Sequence, residues 1–454
     1  MIETERRNRF FISGRIGCLC TAENLIGFHF FVKPIDEVLR MSHEWIDPYR
    51  WVSTFPHQPS IVRDLTGTSV HSAQARILLR PLQTPYRILV VGQTPPPFGG
   101  QAVMIEKLLQ GHFTRIELHH VRLAFSDDME SVGKFAFRKI LILFTTIVEI
   151  WIARFRSGAN AMYYPPSGPN KVPVLRDIVL LCSTRWLFKH TIFHFHAGGV
   201  SSFRSDLPSF LRPFYDLAYR KTSLAIRTAP QNPDDGHVLG AKRSVVVPNG
   251  IDDMRGKVPE RNAAPGDPIV VLFTGVLIPS KGVRVLLEAF NAAVRSGSHM
   301  RLQLMGKWGD AGFEQQCLEF IRKNDLQENV EILGVKRDQE KFSYFAACDV
   351  FCFPSYFEAE SFGLVLVEAM QFAKPVVSTL WRGIPSVVED GRNGFLVPVK
   401  DAQAVADRLR LLADDADLRR RMGAEGRRIF EEKFTIEVFH RSMEKELASV
   451  FEET

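Results

Sequence analysis

No stretch of this 454-residue chain runs for about 18 uninterrupted apolar residues, the length a membrane-crossing helix needs. The nearest candidate, Ile140 to Ala153, is broken by Glu149. The first twenty residues put basic side chains before apolar ones. Gly14 and Arg15 interrupt the apolar part, which argues against a secretory signal. Cysteine is scarce: six residues are too few for a disulfide framework in a chain this long. Cys348 and Cys352 lie in apolar, strand-like sequence and read as small core residues. Cys18-x-Cys20 lacks the second pair that a zinc site would need. A reducing cytosol is therefore the expected compartment. Basic runs interleaved with stacking aromatics are missing, which argues against a nucleic-acid partner. So are low-complexity tracts. What is present is an ordinary globular composition, 45% hydrophobic and 24% charged, with length enough for more than one domain. The formal charge of +6 suits an anionic ligand or an anionic membrane surface.

Residues 1 to about 85 show no hydrophobic period and read as a poorly ordered extension, or as an over-long translation start. At Tyr86 the pattern changes. Arg87 to Gly92 is a buried strand, followed by a stiff loop, Gln93 to Gly100, ending in Gly99-Gly100 and a helix from Gln101. Strand, Gly-rich loop and helix open a doubly wound domain. Lys134 to Phe155 reads as a sheet-covering helix with an apolar centre and basic ends, and membrane contact is the competing reading. Thr191 to His196 is a strand running into Ala197-Gly198-Gly199. His194 and His196 are two apart and share a face. His196 stands at the carboxyl end, where open α/β sheets bind ligands, while His194 reads as a core histidine. Ser244 to Val247 closes this first domain. A polar linker, Met254 to Asp267, leads to a second opening strand at Pro268 to Gly275. Lys281 then falls in the expected first turn of a helix, where the dipole disfavours a cation unless an anion is bound nearby.

The densest signal is Pro354 to Met370. The apolar run Val350 to Phe353 is a buried strand, and Ser361 is the expected cap of a helix carrying Gly363 in its first turn. From Phe362 to Ala373 the only charge is Glu368, and a lone carboxylate on an apolar helix calls for a partner or a ligand. Free amides at a helix start attract phosphate, and glycine lets it approach. Glu368 lies about 8 Å further on at ~1.5 Å per residue, which suits the ribose of a nucleotide. Glu360 precedes the turn and would reach the group beyond the phosphates. The plainer alternative is a capped core helix with a satisfied glutamate.

Glu360 and Glu368, with seven residues between them around Ser361-Phe362-Gly363-Leu364, resemble the paired-glutamate motif of glycosyltransferase family 4. The flanks agree at Asp349-Val350-Phe351, Glu368-Ala369-Met370, Lys374-Pro375-Val376-Val377, Gly383-Ile384-Pro385 and Asp390-Gly391-Arg392-Asn393-Gly394. The resemblance covers most of residues 87 to 450. It implies an α/β protein of GT-B architecture, two Rossmann-like domains facing a cleft. The expected division is an extension at 1–85, an acceptor domain at 86–253, a nucleotide-sugar domain at 268–433, and a last helix at 434–454 returning to the first domain.

The implied activity is retaining transfer of a sugar from a nucleotide sugar to a sugar or lipid-linked acceptor, in the cytoplasm or at the inner face of the membrane. No metal and no further cofactor is implied. The resemblance assigns catalysis to His196 and Glu360. It assigns substrate binding to Gly99, Gly100, Gly198, Lys281, Gly282, Ser361, Phe362, Gly363, Leu364 and Glu368. Asp415-Ala416-Asp417 is the one literal Asp-x-Asp; it falls between two helices and reads as capping. One departure stands out. Val276 occupies a position where the family has an arginine, leaving Arg382 or Lys307 as substitute cations. Two other classes stay open: a sugar-nucleotide epimerase of similar fold, and a catalytically silent nucleotide-sugar-binding protein.

Overall fold

A computed structural model describes residues 84–452, apart from 97, 124–136, 260, 262, 263 and 265. The expected extension at 1–85 thus lies almost wholly outside the described residues. The first half runs β1 (Tyr86–Gly92), α1 (Gly100–Leu109), β2 (Ile116–Arg122), α2 (Phe137–Ser157), β3 (Ala161–Tyr164), α3 (Lys171–Thr184), β4 (His190–Phe195), α4 (Arg212–Tyr219), β5 (Leu224–Arg227), α5 (Asp235–Val238) and β6 (Ser244–Val246). The second runs β7 (Ile269–Thr274), α6 (Val283–Arg295), β8 (Met300–Met305), α7 (Ala311–Lys323), β9 (Val330–Gly334), α8 (Asp338–Ala347), β10 (Val350–Phe353), α9 (Leu364–Gln371), β11 (Val376–Thr379), β12 (Gly394–Val397), α10 (Ala402–Asp414), α11 (Ala416–Lys433) and α12 (Ile436–Glu452).

Each half is a parallel six-stranded sheet, ordered β2-β1-β3-β4-β5-β6 and β12-β11-β10-β7-β8-β9. Parallel sheets are covered on both faces, so their strands read as continuous apolar runs rather than alternating ones. In the first sheet Ile88 and Val90 point to one core with α1, while Leu89 and Val91 point to the other with α2, α3 and α4. The order of each sheet reverses once, between β1 and β3 and between β7 and β10. Crevices at such reversals, beyond the carboxyl ends of the strands, are where open α/β sheets take ligands.

The last helix belongs to the core of the first half. Ile436, Phe439, Met443 and Leu447 recur at helical spacing and are buried with Ile88, Val90 and Met104. Tyr86 stacks on Phe451 with ring centroids 4.4 Å apart. The chain crosses back at Ile251, whose amide donates to the Phe434 carbonyl and whose carbonyl accepts from Ile436, both at 2.9 Å. Gly250 is required there, because a Cβ would run into the Thr435 carbonyl oxygen.

Candidate functional site

At the β7–β10 reversal, two glycines shape the backbone. Gly282 caps α6 with φ +82°, and a Cβ on it would strike the Pro354 carbonyl just after β10. Gly363 caps α9 with φ +79°. Both take the left-handed region that glycine enters without steric cost. The expected Ser361 cap is therefore corrected: the helix starts at Leu364, and Ser361 lies in the turn before it. Lys281 is likewise not in the first turn of α6 but in a short 3-10 turn, Pro279–Lys281, immediately ahead of it. The left-handed glycine in each case turns the chain before the helix can begin.

Those turns bring Lys281 and Glu360 together. Lys281 Nζ donates to Glu360 Oε2 at 2.5 Å, and Ser355 Oγ donates to the same oxygen at 3.0 Å. Lys281 Nζ also lies over the rings of Phe357 at 4.5 Å and Phe353 at 5.4 Å. Glu360 is buried, so its charge is held by these donors rather than by water. Thr379 Oγ1 donates to the Ser355 carbonyl and fixes the serine in turn. The first amides of α9 have no partner within the helix, as at any helix start, and Phe362, fully packed below, orients that end.

Glu368 is half-buried rather than enclosed, on one side of α9 with Leu364 and Val365. Nor is it alone, as the sequence led one to expect: Lys341 Nζ donates to Glu368 Oε1 at 2.6 Å. Oε2 is buried and has no partner among the described residues. A lysine one helix earlier cannot be matched to a glutamate by local pattern, which is why the pairing was invisible in sequence.

The first half meets this site across the cleft. Gly100 lies within 3.7 Å of Leu364 Cδ1, measured from a Cβ built on the glycine. Gly99 caps α1 in an extended conformation. Beside it, the Arg337 guanidinium sits 4.7 Å over the Phe98 ring. Two residues of the loop after β5, unread in the sequence, bind the turn directly. Asn232 Nδ2 donates to the Ser361 carbonyl at 2.8 Å, and Thr228 Oγ1 to the same oxygen at 3.3 Å. Their only sequence signal is polar character just past the carboxyl end of a strand, Thr228 ahead of Pro230 and Asn232 between Pro230 and Pro233.

His196 stands one residue past β4. Its ring lies 4.0 Å from that of His194, which accepts or donates a 2.6 Å bond to the Tyr163 hydroxyl through Nδ1. Burial pushes the imidazole of His196 down to about 4 and holds that of His194 well below its usual value, so both are neutral near pH 7. Gly198 packs against Pro233, and the following loop is tied by Asp235. That buried carboxylate accepts from the amides of Gly199 and Ser201, each at 2.8 Å.

The departure at Val276 leaves an exposed apolar side chain at the edge of the crevice. Of the two substitute cations, Lys307 is exposed on the neighbouring loop, where its carbonyl accepts from Leu277 at 2.9 Å. Arg382 is exposed and sits against the Trp381 ring. Beyond them a cleft of about 540 Å³ opens at the ends of β8 and β9, lined by Lys307, Trp308, Glu314 and Val335 among others.

Residues 254–429 match the family described as glycosyl transferases group 1. The O-antigen chain mannosyltransferase C of Escherichia coli is 30% identical over 54% of this chain and 65% of its own length. The phosphatidyl-myo-inositol mannosyltransferase of Mycolicibacterium smegmatis is 33% identical over 50% of this chain and 56% of its own. The chain spans less than two thirds of the length of the curated relatives it matches. Among solved structures, Anabaena Alr3699/HepE in complex with UDP superposes with a TM-score of 0.61 at 20% identity, over 80% of this chain and all of that one. That likeness shows the fold, the GT-B pairing of two Rossmann-like domains.

Proposed function

The chain carries a group 1 glycosyltransferase domain in its C-terminal half, and on that premise we propose that it moves a sugar from a nucleotide sugar to an acceptor, with retention at the anomeric carbon. The observation that carries this reading is the convergence of Lys281, Glu360 and the Gly363 helix start at the β7–β10 crevice. In the reaction the bond between the sugar anomeric carbon and the diphosphate oxygen breaks. The acceptor oxygen bonds to that carbon, and its proton passes to the departing diphosphate. Charge grows on the departing diphosphate, and catalysis needs a fixed counter-charge where it grows. Lys281 and the amides of Phe362 and Gly363 supply it, with no required metal. Glu360 takes donor-sugar hydroxyls and Glu368 the ribose. His196 orients the sugar or the attacking hydroxyl from the other half. The UDP named in the HepE structure supports a nucleotide-sugar donor here.

The acceptor in this reading is a sugar or lipid-linked sugar, in keeping with the O-antigen chain and phosphatidyl-myo-inositol mannosyltransferases among the relatives, and we place the encounter at the cytoplasmic face of a membrane. The contact proposed is a peripheral one; among the described residues no helix is long and apolar enough to cross a membrane. Neither the epimerase nor the silent-binding reading gains support from the family match.

The test is a panel of UDP-, GDP- and ADP-sugars, read by thermal shift and by release of nucleoside diphosphate. Stabilisation by one donor class, with turnover when a sugar acceptor is added, is the expected result. A folded protein that none of the panel stabilises would sink the proposal.

A further inference from the structure

Large apolar side chains crowd one outer surface of the first half. On α2, Phe144, Val148 and Phe155 are 62%, 56% and 71% exposed, at helical spacing along one face. In the 3-10 turn after α3 Trp186 is 65% exposed, and on α4 Phe214 is 52% and Leu217 63% exposed. The surface is continuous. Trp151 of α2 meets Trp186 edge to face at 5.4 Å, and both indole N–H groups donate to the Ser183 carbonyl. Cys182 Sγ donates to the Phe214 carbonyl, and Arg185 to that of Leu217, which joins α3 to α4. Partly exposed aromatics alone place on the order of 400 Å² of apolar surface here, at the limit of what monomers leave uncovered.

Charge decides what covers it. The chain leaves α2 through Arg156, enters β4 through Lys189 and leaves α4 through Arg220-Lys221, all exposed. Between residues 140 and 221 the exposed acids are Glu149 and Asp206. Asp177 is buried against Arg176, and Asp216 is held by Arg204 at 2.7 Å. A second copy docking on this face would set one basic row against another. An anionic surface would be attracted to it instead. At ~1.5 Å per residue α2 is about 30 Å long; Leu143, Ile150 and Ala153 pack inward on the core, and a second apolar side faces outward along its length, as on an interfacial helix.

We propose that the outer face of α2, α3 and α4 docks on an anionic lipid bilayer, apolar side chains in the headgroup region and the basic residues between helix and strand on lipid phosphates. These helices run antiparallel to their strands, so their starts lie at the cleft edge of the sheet, beside the crevice where an acceptor would enter. The inference rests on the peripheral contact proposed above, and its test needs no turnover.

Flotation of the full chain with vesicles of phosphatidylcholine, with and without phosphatidylglycerol, reads it directly. The expected result is binding to the anionic vesicles that weakens with salt. It should drop at least tenfold in the double variants F144S/F155S and K189E/K221E, while melting temperature and donor-induced thermal shift stay at wild-type values. No binding by the folded wild type overturns the proposal, as does equal binding to neutral vesicles. A wild-type dimer that F144S/F155S splits would show that a second copy covers the face, and that too overturns it. Loss of transfer with intact flotation would count against the transferase reading alone.

Discussion

Lys281 and Glu360 are 79 positions apart in the chain, yet their side chains close to 2.5 Å at the mouth of the β7–β10 crevice. In sequence they look like separate ligand groups, one for phosphate and one for sugar. In the structure each is the other's counter-ion, and Ser355 completes the shell of Glu360. A diphosphate entering the crevice would take a share of a lysine already positioned.

That pairing makes stability and binding separable. Lys281→Ala should weaken donor binding strongly and also destabilise the fold, because it strands a buried carboxylate. The lysine retains some exposure, so the cost should be about 1–3 kcal/mol, below the full value for a buried pair. Adding Glu360→Gln should restore most of the stability but none of the donor affinity. Urea unfolding and donor titration of both single variants and the double variant close the cycle. Additive stabilities would mean that the contact carries no coupling.

Glu368→Ala removes a carboxylate whose one partner, Lys341, can turn to solvent. The expected stability loss is small, under ~1 kcal/mol, as for partly exposed ion pairs. Donor affinity should fall at least tenfold, because the unpartnered Oε2 is the atom assigned to the ribose. Calorimetric titration with the bound donor decides, and unchanged affinity would reassign Glu368 to a purely structural pair with Lys341.

Gly383→Ala should act on the site through the backbone. A Cβ there would run into the Ser361 carbonyl and approach the Phe362 amide at 3.0 Å. Its φ of about −80° is open to any residue, so the penalty is one of space. We expect a loss of about 1–3 kcal/mol, as in other overpacked positions, together with weaker donor binding. Wild-type binding with a normal melting temperature would show that the turn can shift freely.

His196 and His194 give the protein an acid limit. Burial holds the imidazole of His196 at about 4, below its unfolded value near 6.5. The unfolded chain therefore binds a proton that the folded chain refuses, and stability falls as pH drops through 6.5 toward 4. For His196 alone the loss between pH 7 and pH 5 is roughly 2 kcal/mol. His196→Asn should flatten that part of the stability profile, measured by urea unfolding at successive pH values. In turnover the two histidines should diverge. His196→Ala should cut the rate while leaving donor affinity near wild type, as for a group acting mainly in the transition state. His194→Ala should act through stability, since it removes the 2.6 Å bond to Tyr163 from the core. Full turnover in His196→Ala would refute the assignment.

The fold class was legible in the chain because its signals are local. Apolar strands bounded by glycine, the cap at Asp415, and the paired glutamates around Gly363 each occupy a few adjacent residues. Period and motif at that range need no tertiary partner to be read. The spacing of Ile436, Phe439, Met443 and Leu447 likewise marked an amphipathic helix.

What the folded chain alone decided are the partnerships between distant residues. Lys341 meets Glu368, Asn232 reaches the Ser361 carbonyl, Asp235 ties the loop after His196, and Lys281 closes on Glu360. Helix starts also shifted, because a left-handed glycine at 282 or 363 turns the chain where the first helical turn was expected. Which polar groups face each other depends on how two sheets stack their loops over one cleft. That is a property of packing at long range, and no window of sequence contains it.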